Sequence, residues 1–170
     1  PTWTPAPRGP SGRLETTLGY VRGQCPQFEL WADLEHVEGI DLLLAAATSD
    51  RPESLYGHVL FQVRYKSDSI VRSRGFEPVY QYGAVTATTV DQLEYFSKGL
   101  FGGFYSVIQA NTFRGIDRMF MQYEQRTLRR YALNLSPKET IQAMQRIWEA
   151  ERHVTYQYFF LSDNCASMLI

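Results

Sequence analysis

The sequence predicts an α+β domain, with a run of strands first, a mixed middle and a helix-rich end. Three segments, residues 40–48, 58–65 and 78–87, are rich in Val, Leu and aromatic residues and are bounded by polar loops, as is typical of strands. After residue 88, apolar residues recur at helical intervals. A chain of 170 residues with 44% apolar residues suffices for one domain with a substantial core. The order of elements favours α+β over a regular βαβ alternation.

The first 38 residues are the least regular part of the chain. Residues 1–12 carry four prolines and two glycines, which indicates an extended arm. A weak alternation in QFELWADLE, residues 27–35, predicts a strand. We therefore divide the chain into an N-terminal arm and poorly assigned segment, residues 1–38, and a main domain, residues 39–170.

The second half of the chain is predicted to hold the helices. A capping-box spacing from Thr89 to Gln92 predicts a helix that ends at Gly102-Gly103, and residues 104–111 then read as a strand. The strongest helix signal is LSPKETIQAMQRIWEAERH, in which Ser136 is the N-cap, Pro137 the first helical residue and Glu139 the closing residue of a capping box. GIDRMFMQYEQR, residues 115–126, predicts a further helix with Ile116, Met119, Phe120 and Tyr123 along one face. In the two helices above, the apolar residues at helical spacing are Leu93, Phe96, Leu100, Ile141, Met144, Ile147 and Trp148.

Composition and motifs exclude several classes of function. The net charge is −1, so the chain offers no basic surface for nucleic acid. The longest apolar run, residues 40–48, is far shorter than the roughly 20 residues of a membrane span. Neither a zinc-type Cys/His pairing nor a glycine-rich phosphate loop is present, so we expect no metal and no cofactor.

Cys165, in the closing stretch FFLSDNCASMLI, is a candidate nucleophile. Ser162, Asp163 and Asn164 are all plausible helix caps, which would put the thiol in the first turn of a helix. A helix N-terminus favours the thiolate, and its amides can bind an oxyanion. The alternative is a small buried hydrophobic residue, since free cysteines are often buried. A disulfide with Cys25 would also silence this chemistry.

His58 is the candidate base. It follows Gly57 at the start of a predicted strand in LYGHVLFQVRY, so its ring can project from the strand end and take the thiol proton. The alternative is a structural histidine bonded to a carbonyl. In PVYQYGAV, alternation puts Gln81 on one face, where it can orient His58, and Tyr82 on the other, as a candidate oxyanion donor. Either residue could equally be structural.

Four stretches, SLYGHVLFQVRY, VYQYGAV, YALNLSPKE and YQYFFLSDNCA, occur in an order that resembles a bacterial family. It is the family named after the N-terminal periplasmic domain of Lnb, a lipoprotein N-acyltransferase. The resemblance covers most of residues 40–170. It implies a circularly permuted papain-like (NlpC-type) catalytic domain, in which antiparallel strands, including the histidine strand, come first and the nucleophile helix comes last.

The resemblance also assigns residues. His58 matches the histidine of a Gly-His pair, Cys165 matches the cysteine of an Asn-Cys pair, and Tyr82 matches the first residue of a Tyr-Gly pair. We take Cys165, His58 and Gln81 as catalytic candidates. The substrate-binding candidates are Tyr56, Tyr82 and Asn164.

Two departures from the family pattern affect the expected substrate. Gln62 stands where members often have arginine, and AATSDRPE lacks the Cys-x-x-Gly that often follows the first strand.

By resemblance, the expected setting is the periplasm or the bacterial cell envelope. The expected reaction is acyl transfer through a thioester on Cys165, from a phospholipid to the α-amine of a lipoprotein, with contact to the membrane surface through regions outside this chain. One alternative is a papain-like cysteine hydrolase that cuts a peptidoglycan amide or a lipid ester. Another is a binding module that keeps the fold without turnover.

Overall fold

A computed structural model of the protein describes residues 25–48, 57–67, 69, 75–85 and 91–159. Within these residues, six strands form one sheet in the order β5-β1-β2-β3-β4-β6, and every neighbouring pair is antiparallel. The three strands expected first in the chain are confirmed as β1, β2 and β3. The strands are β1 Val37–Ala45, β2 His58–Tyr65, β3 Pro78–Val85, β4 Phe104–Thr112, β5 Leu128–Ala132 and β6 Tyr156–Tyr158.

Four α-helices lie in the described part of the chain. They are α1 Pro26–Ala32, α2 Gln92–Phe101, α3 Phe113–Asp117 and α4 Pro137–His153, and a π-helical segment, Arg118–Tyr123, continues α3. The fold is therefore mixed, with helices and an antiparallel sheet. The capping box of α4 is confirmed, because the Ser136 side chain accepts from the Glu139 amide and the Glu139 carboxylate accepts from Ser136. Helix α2 begins after Asp91 and ends at Gly102; Thr89 lies outside the described residues.

The sheet has two covered faces. Alternation along β2 directs His58, Leu60, Gln62 and Arg64 to one face, called here the His58 face. The opposite face, called the α4 face, is covered by α1 and α4. The core on the α4 face consists of Phe28, Ala32, Ile40, Val63, Tyr65, Tyr80, Met144 and Ile147. The core on the His58 face consists of Leu43, Ala45, Leu60, Val79, Ile116 and Phe120.

The strand predicted for residues 27–35 is wrong, because this stretch forms α1. Pro26 occupies the first helical turn, where its missing N–H costs nothing. Phe28 and Ala32, four residues apart, are buried, whereas Leu30 is 87% exposed although the alternation predicted it on the same side. The helical period therefore describes the burial better than the strand period does.

The helix predicted around residues 115–126 is confirmed only in its first part. Ile116 and Phe120 are buried on the His58 face, but Tyr123 is 79% exposed. The chain changes from α- to π-helical hydrogen bonding at Arg118, so the 3.6-residue period no longer predicts which side chains face the sheet. Strand β6 was not predicted at all, because three residues are too short for a pattern. Among the described residues, no helix is both long and apolar enough to cross a membrane.

Candidate functional site

His58 is the first residue of β2, and the residue before it must be glycine. Gly57 has φ +81°, and a Cβ there would come within 2.8 Å of the Ala45 carbonyl oxygen. Ala45 is the last residue of β1 and the Cα partner of His58 in the ladder. The Gly-His pair therefore allows the chain to enter β2 directly beside the end of β1.

The His58 ring is held by two glutamine side chains in series, Gln81 and Gln109, called here the glutamine relay. His58 Nε2 lies 3.1 Å from Gln81 Oε1, and Gln81 Nε2 donates to Gln109 Oε1 at 3.2 Å. Because the Gln81 amide nitrogen is directed at Gln109, its oxygen faces the imidazole and accepts a hydrogen bond from Nε2–H. The neutral ring therefore carries its hydrogen on Nε2, which leaves Nδ1 as the basic nitrogen.

The other side of the His58 ring packs against the π-helical segment. The ring centroids of His58 and Phe120 are 5.8 Å apart. Burial is the main cause that lowers the pKa of His58 below its ordinary value of 6.5; the Gln81 hydrogen bond raises it, the Arg126 charge lowers it and the Glu124 charge raises it. The neutral imidazole is thus favoured at neutral pH, as a general base requires.

The structure brings together two of the six predicted site residues, His58 and Gln81. Tyr82 lies on the α4 face, where its hydroxyl accepts a hydrogen bond from Ser106 and its ring packs near Tyr156 and Tyr158. Its side chain is therefore across the sheet from His58, and its substrate-binding role stays a prediction. Tyr56, Asn164 and Cys165 lie outside the described residues. Cys25 is an exposed, free thiol.

A buried polar group lies further along the His58 face. Asp41 is 1% exposed and accepts from Arg64 Nε at 2.7 Å. Gln62, which stands where the resemblance leads us to expect arginine, is the Cα partner of Asp41 and is also buried. Its Oε1 has no hydrogen-bond partner among the described residues. The positive charge on this strand is therefore at Arg64, paired with Asp41, rather than at position 62.

Three residues around His58 were missed by sequence reasoning: Gln109, Phe120 and Arg126. Gln109 could have been found by aligning the predicted strands, since it is the Cα partner of Gln81 on the same face. Phe120 was seen only as a core residue. Arg126 carried no usable signal, because it lies in a charged stretch near Arg129 and Arg130, which are exposed.

The described part of the site suits proton transfer. A neutral histidine whose Nε2–H is held by an amide oxygen can accept a proton on Nδ1 from a thiol and later return it. No group of three His, Cys, Asp or Glu within the described ranges is arranged to hold a metal ion.

Comparison with known proteins identifies the family. The family model described as the Lnb N-terminal periplasmic domain matches residues 27–170. No curated protein and no solved structure matches the chain significantly. The match confirms the resemblance seen in the four sequence stretches and the expected location in the periplasm or bacterial cell envelope. The chain belongs to the Lnb N-terminal periplasmic domain family.

Proposed function

We propose that this domain is a cysteine-dependent acyltransferase of the cell envelope, which moves an acyl chain from a phospholipid to the α-amine of a lipoprotein. Cys165 would carry the chain as a thioester, and His58 would serve as base and acid. We also infer that the sheet is the core of a circularly permuted papain-like (NlpC-type) fold, since the histidine strand precedes the cysteine along the chain.

The observation that carries this proposal is the orientation of His58. A histidine that only filled space would not need a glutamine relay on one side and an aromatic ring on the other. The relay holds Nδ1 as the proton acceptor, which is the arrangement that cysteine–histidine enzymes use. The depressed pKa of His58 keeps that nitrogen unprotonated near neutral pH.

The strand order supports the proposal that the Cys165 sulfur lies close to the His58 imidazole. The ladder places the end of β1, the start of β2, the start of β4 and the end of β6 at one end of the sheet, called here the His58 end. Three strand spacings separate β2 from β6, or about 15 Å. Cys165 follows Tyr158 by seven residues, and seven residues span up to about 24 Å. The chain is thus long enough for the sulfur to reach the imidazole.

The proposed reaction balances with these two groups. His58 Nδ1 takes the thiol proton as the sulfur attacks the ester carbonyl, and it returns that proton to the departing lysophospholipid oxygen. An amine then attacks the thioester, loses its proton to His58, and the proton passes to the departing sulfur. The products are an amide, a lysophospholipid and the regenerated thiol.

An exposed apolar surface on α2 supports a lipid donor. Leu93, Phe96 and Leu100 form an exposed stripe along the outer side of α2, and Phe101 follows Leu100 at the end of the helix. The most exposed of these side chains are Leu93, at 78%, and Phe101, at 83%. Apolar patches of this kind mark lipid or partner contacts. Helix α2 ends at the His58 end of the sheet, and Gly102, which follows it, lies against the Phe159 ring. The contact is so close that a Cβ at position 102 would come within 2.9 Å of that ring. The patch therefore adjoins the segment that leads to Cys165.

Intact-mass spectrometry tests the proposal. Protein carrying Cys25→Ser is incubated with phosphatidylethanolamine and phosphatidylglycerol vesicles, and we expect a gain of one acyl mass that hydroxylamine removes. Cys165→Ser should abolish the adduct and His58→Ala should reduce it strongly. A diacylglyceryl-cysteine peptide with a free amine should then become N-acylated.

Two other results would contradict the proposal. Release of free fatty acid without amide formation would identify water as the acceptor and hence a hydrolase. Absence of any adduct or donor turnover in folded protein would favour a binding module.

A further inference from the structure

Arg126 is a buried cation close to His58. It lies between the π-helical segment and β5, and the residue is only 5% exposed. Burying an arginine is costly unless its donors are satisfied and its charge is balanced. The position of this side chain therefore requires specific partners.

Arg126 binds the end of β1 and Glu124, two residues before it in the chain. Its Nε donates to the Ala46 carbonyl oxygen at 2.6 Å, and its Nη2 lies 3.5 Å from the Ala45 carbonyl oxygen. Its Nη1 donates to Glu124 Oε2 at 3.0 Å. The guanidinium thus ties the entry to β5 to the carbonyl groups that end β1.

The same guanidinium also lies over the ring on which His58 packs. Its central carbon is 5.0 Å from the Phe120 ring centroid, and the Arg126 amide donates to the Phe120 carbonyl oxygen at 2.8 Å. Phe120 in turn packs against the imidazole. Arg126 therefore supports both neighbours of His58, the Phe120 ring and the end of β1, without itself forming part of the glutamine relay.

The geometry points to Arg126 as a positioning residue for His58, holding the Phe120 ring and the end of β1 that together fix the imidazole; its catalytic importance rests on the function proposed above. Arg126 acts on His58 both through its packing and through its positive charge. The buried cation disfavours a second positive charge on the nearby imidazole, and Glu124 opposes this effect. Charged residues on the strands of this face are Asp41, Arg64 and Arg130. The elements that cover it, α3 and the π-helical segment, also carry Arg114, Asp117 and Arg118.

Histidine NMR tests this role without requiring turnover. In Cys165→Ser protein, the ¹H–¹³C signals of the His58 ring are titrated and assigned by their loss in His58→Gln. We expect Arg126→Gln to raise the pKa of His58, because the buried positive charge near the imidazole is removed, and Arg126→Lys to restore it largely. Arg129→Gln, an exposed arginine on β5, is the matched control and should change nothing.

Glu124→Gln is a second, milder variant in case Arg126→Gln fails to fold. Removal of this carboxylate should lower the pKa of His58 and weaken the hold on Arg126. An unchanged His58 titration in folded Arg126→Gln, or in Glu124→Gln if the arginine variant is unfolded, would overturn the inference. Absence of acyl transfer by the protein without these substitutions, with the expected His58 shifts observed, would instead count against the proposed function alone.

Discussion

His58 and Gln81 lie on adjacent antiparallel strands and meet through a 3.1 Å contact between the imidazole Nε2 and the amide oxygen. The contact depends on register, because Gln81 pairs with Leu60, two residues beyond His58. It defines the tautomer of the ring and therefore which nitrogen can take a proton.

Gln81→Ala should release the ring without removing the base. We expect a larger fraction of the Nδ1–H tautomer in a long-range ¹H–¹⁵N spectrum, and a roughly 10- to 100-fold slower acyl transfer because the basic nitrogen is misplaced. Gln157→Ala, an exposed glutamine on β6, is the matched control. A wild-type tautomer ratio in Gln81→Ala would show that the glutamine relay does not orient His58.

Gly57→Ala should be more destabilising than Gly75→Ala, although both glycines have positive φ. At Gly75, with φ +90°, an added methyl group would meet no atom within 4 Å, so only the backbone cost of about 1–2 kcal/mol applies. At Gly57 the methyl would also press on the Ala45 carbonyl oxygen, adding about 1–3 kcal/mol. Urea unfolding of both variants measures the difference, and equal losses would contradict the close approach of β1 and β2.

Stability should fall as the pH is lowered through the ordinary histidine pKa of 6.5. The unfolded chain protonates His58 at that pH, whereas the buried ring stays neutral until its lower folded pKa is reached. The unfolded state then binds more protons, so acid favours unfolding. Urea titrations at several pH values should show a shallower acid loss in His58→Gln than in the exposed His153→Gln control. Equal slopes would mean that His58 is not buried as a neutral ring.

The exposed apolar surface of α2 should speed thioester formation when the acyl donor is a membrane phospholipid, and not when the donor is a soluble ester. Replacing Phe96 and Phe101 with Ser should slow thioester formation from phospholipid vesicles about 10-fold, because two exposed aromatic rings no longer enter the lipid surface. A short-chain soluble ester should react at the wild-type rate. Leu30→Ser, another exposed apolar position, is the control. Equal slowing with both donors would point to a fold defect instead.

The sequence predicted local elements better than their assembly. Strands β1 to β3 and the cap of α4 were predictable because each has a strong local pattern. Helix α1 was not, because a short apolar segment with residues at positions 28, 30, 32 and 34 fits the strand period by chance while its burial is set by packing on α4. Among the site residues, His58 followed from its place after Gly57 at the start of a predicted strand, and Gln81 followed from alternation. Arg126 depends instead on contacts across 80 residues of chain that no local pattern records.

The central claim is that His58 activates the thiol of Cys165, and alkylation by iodoacetamide across pH tests it most directly. In a Cys25→Ser background, which leaves Cys165 as the single cysteine, the account predicts rapid labelling well below pH ~8.5, the ordinary thiol pKa, and much slower labelling after His58→Ala. Identical pH profiles for the two folded proteins would contradict it.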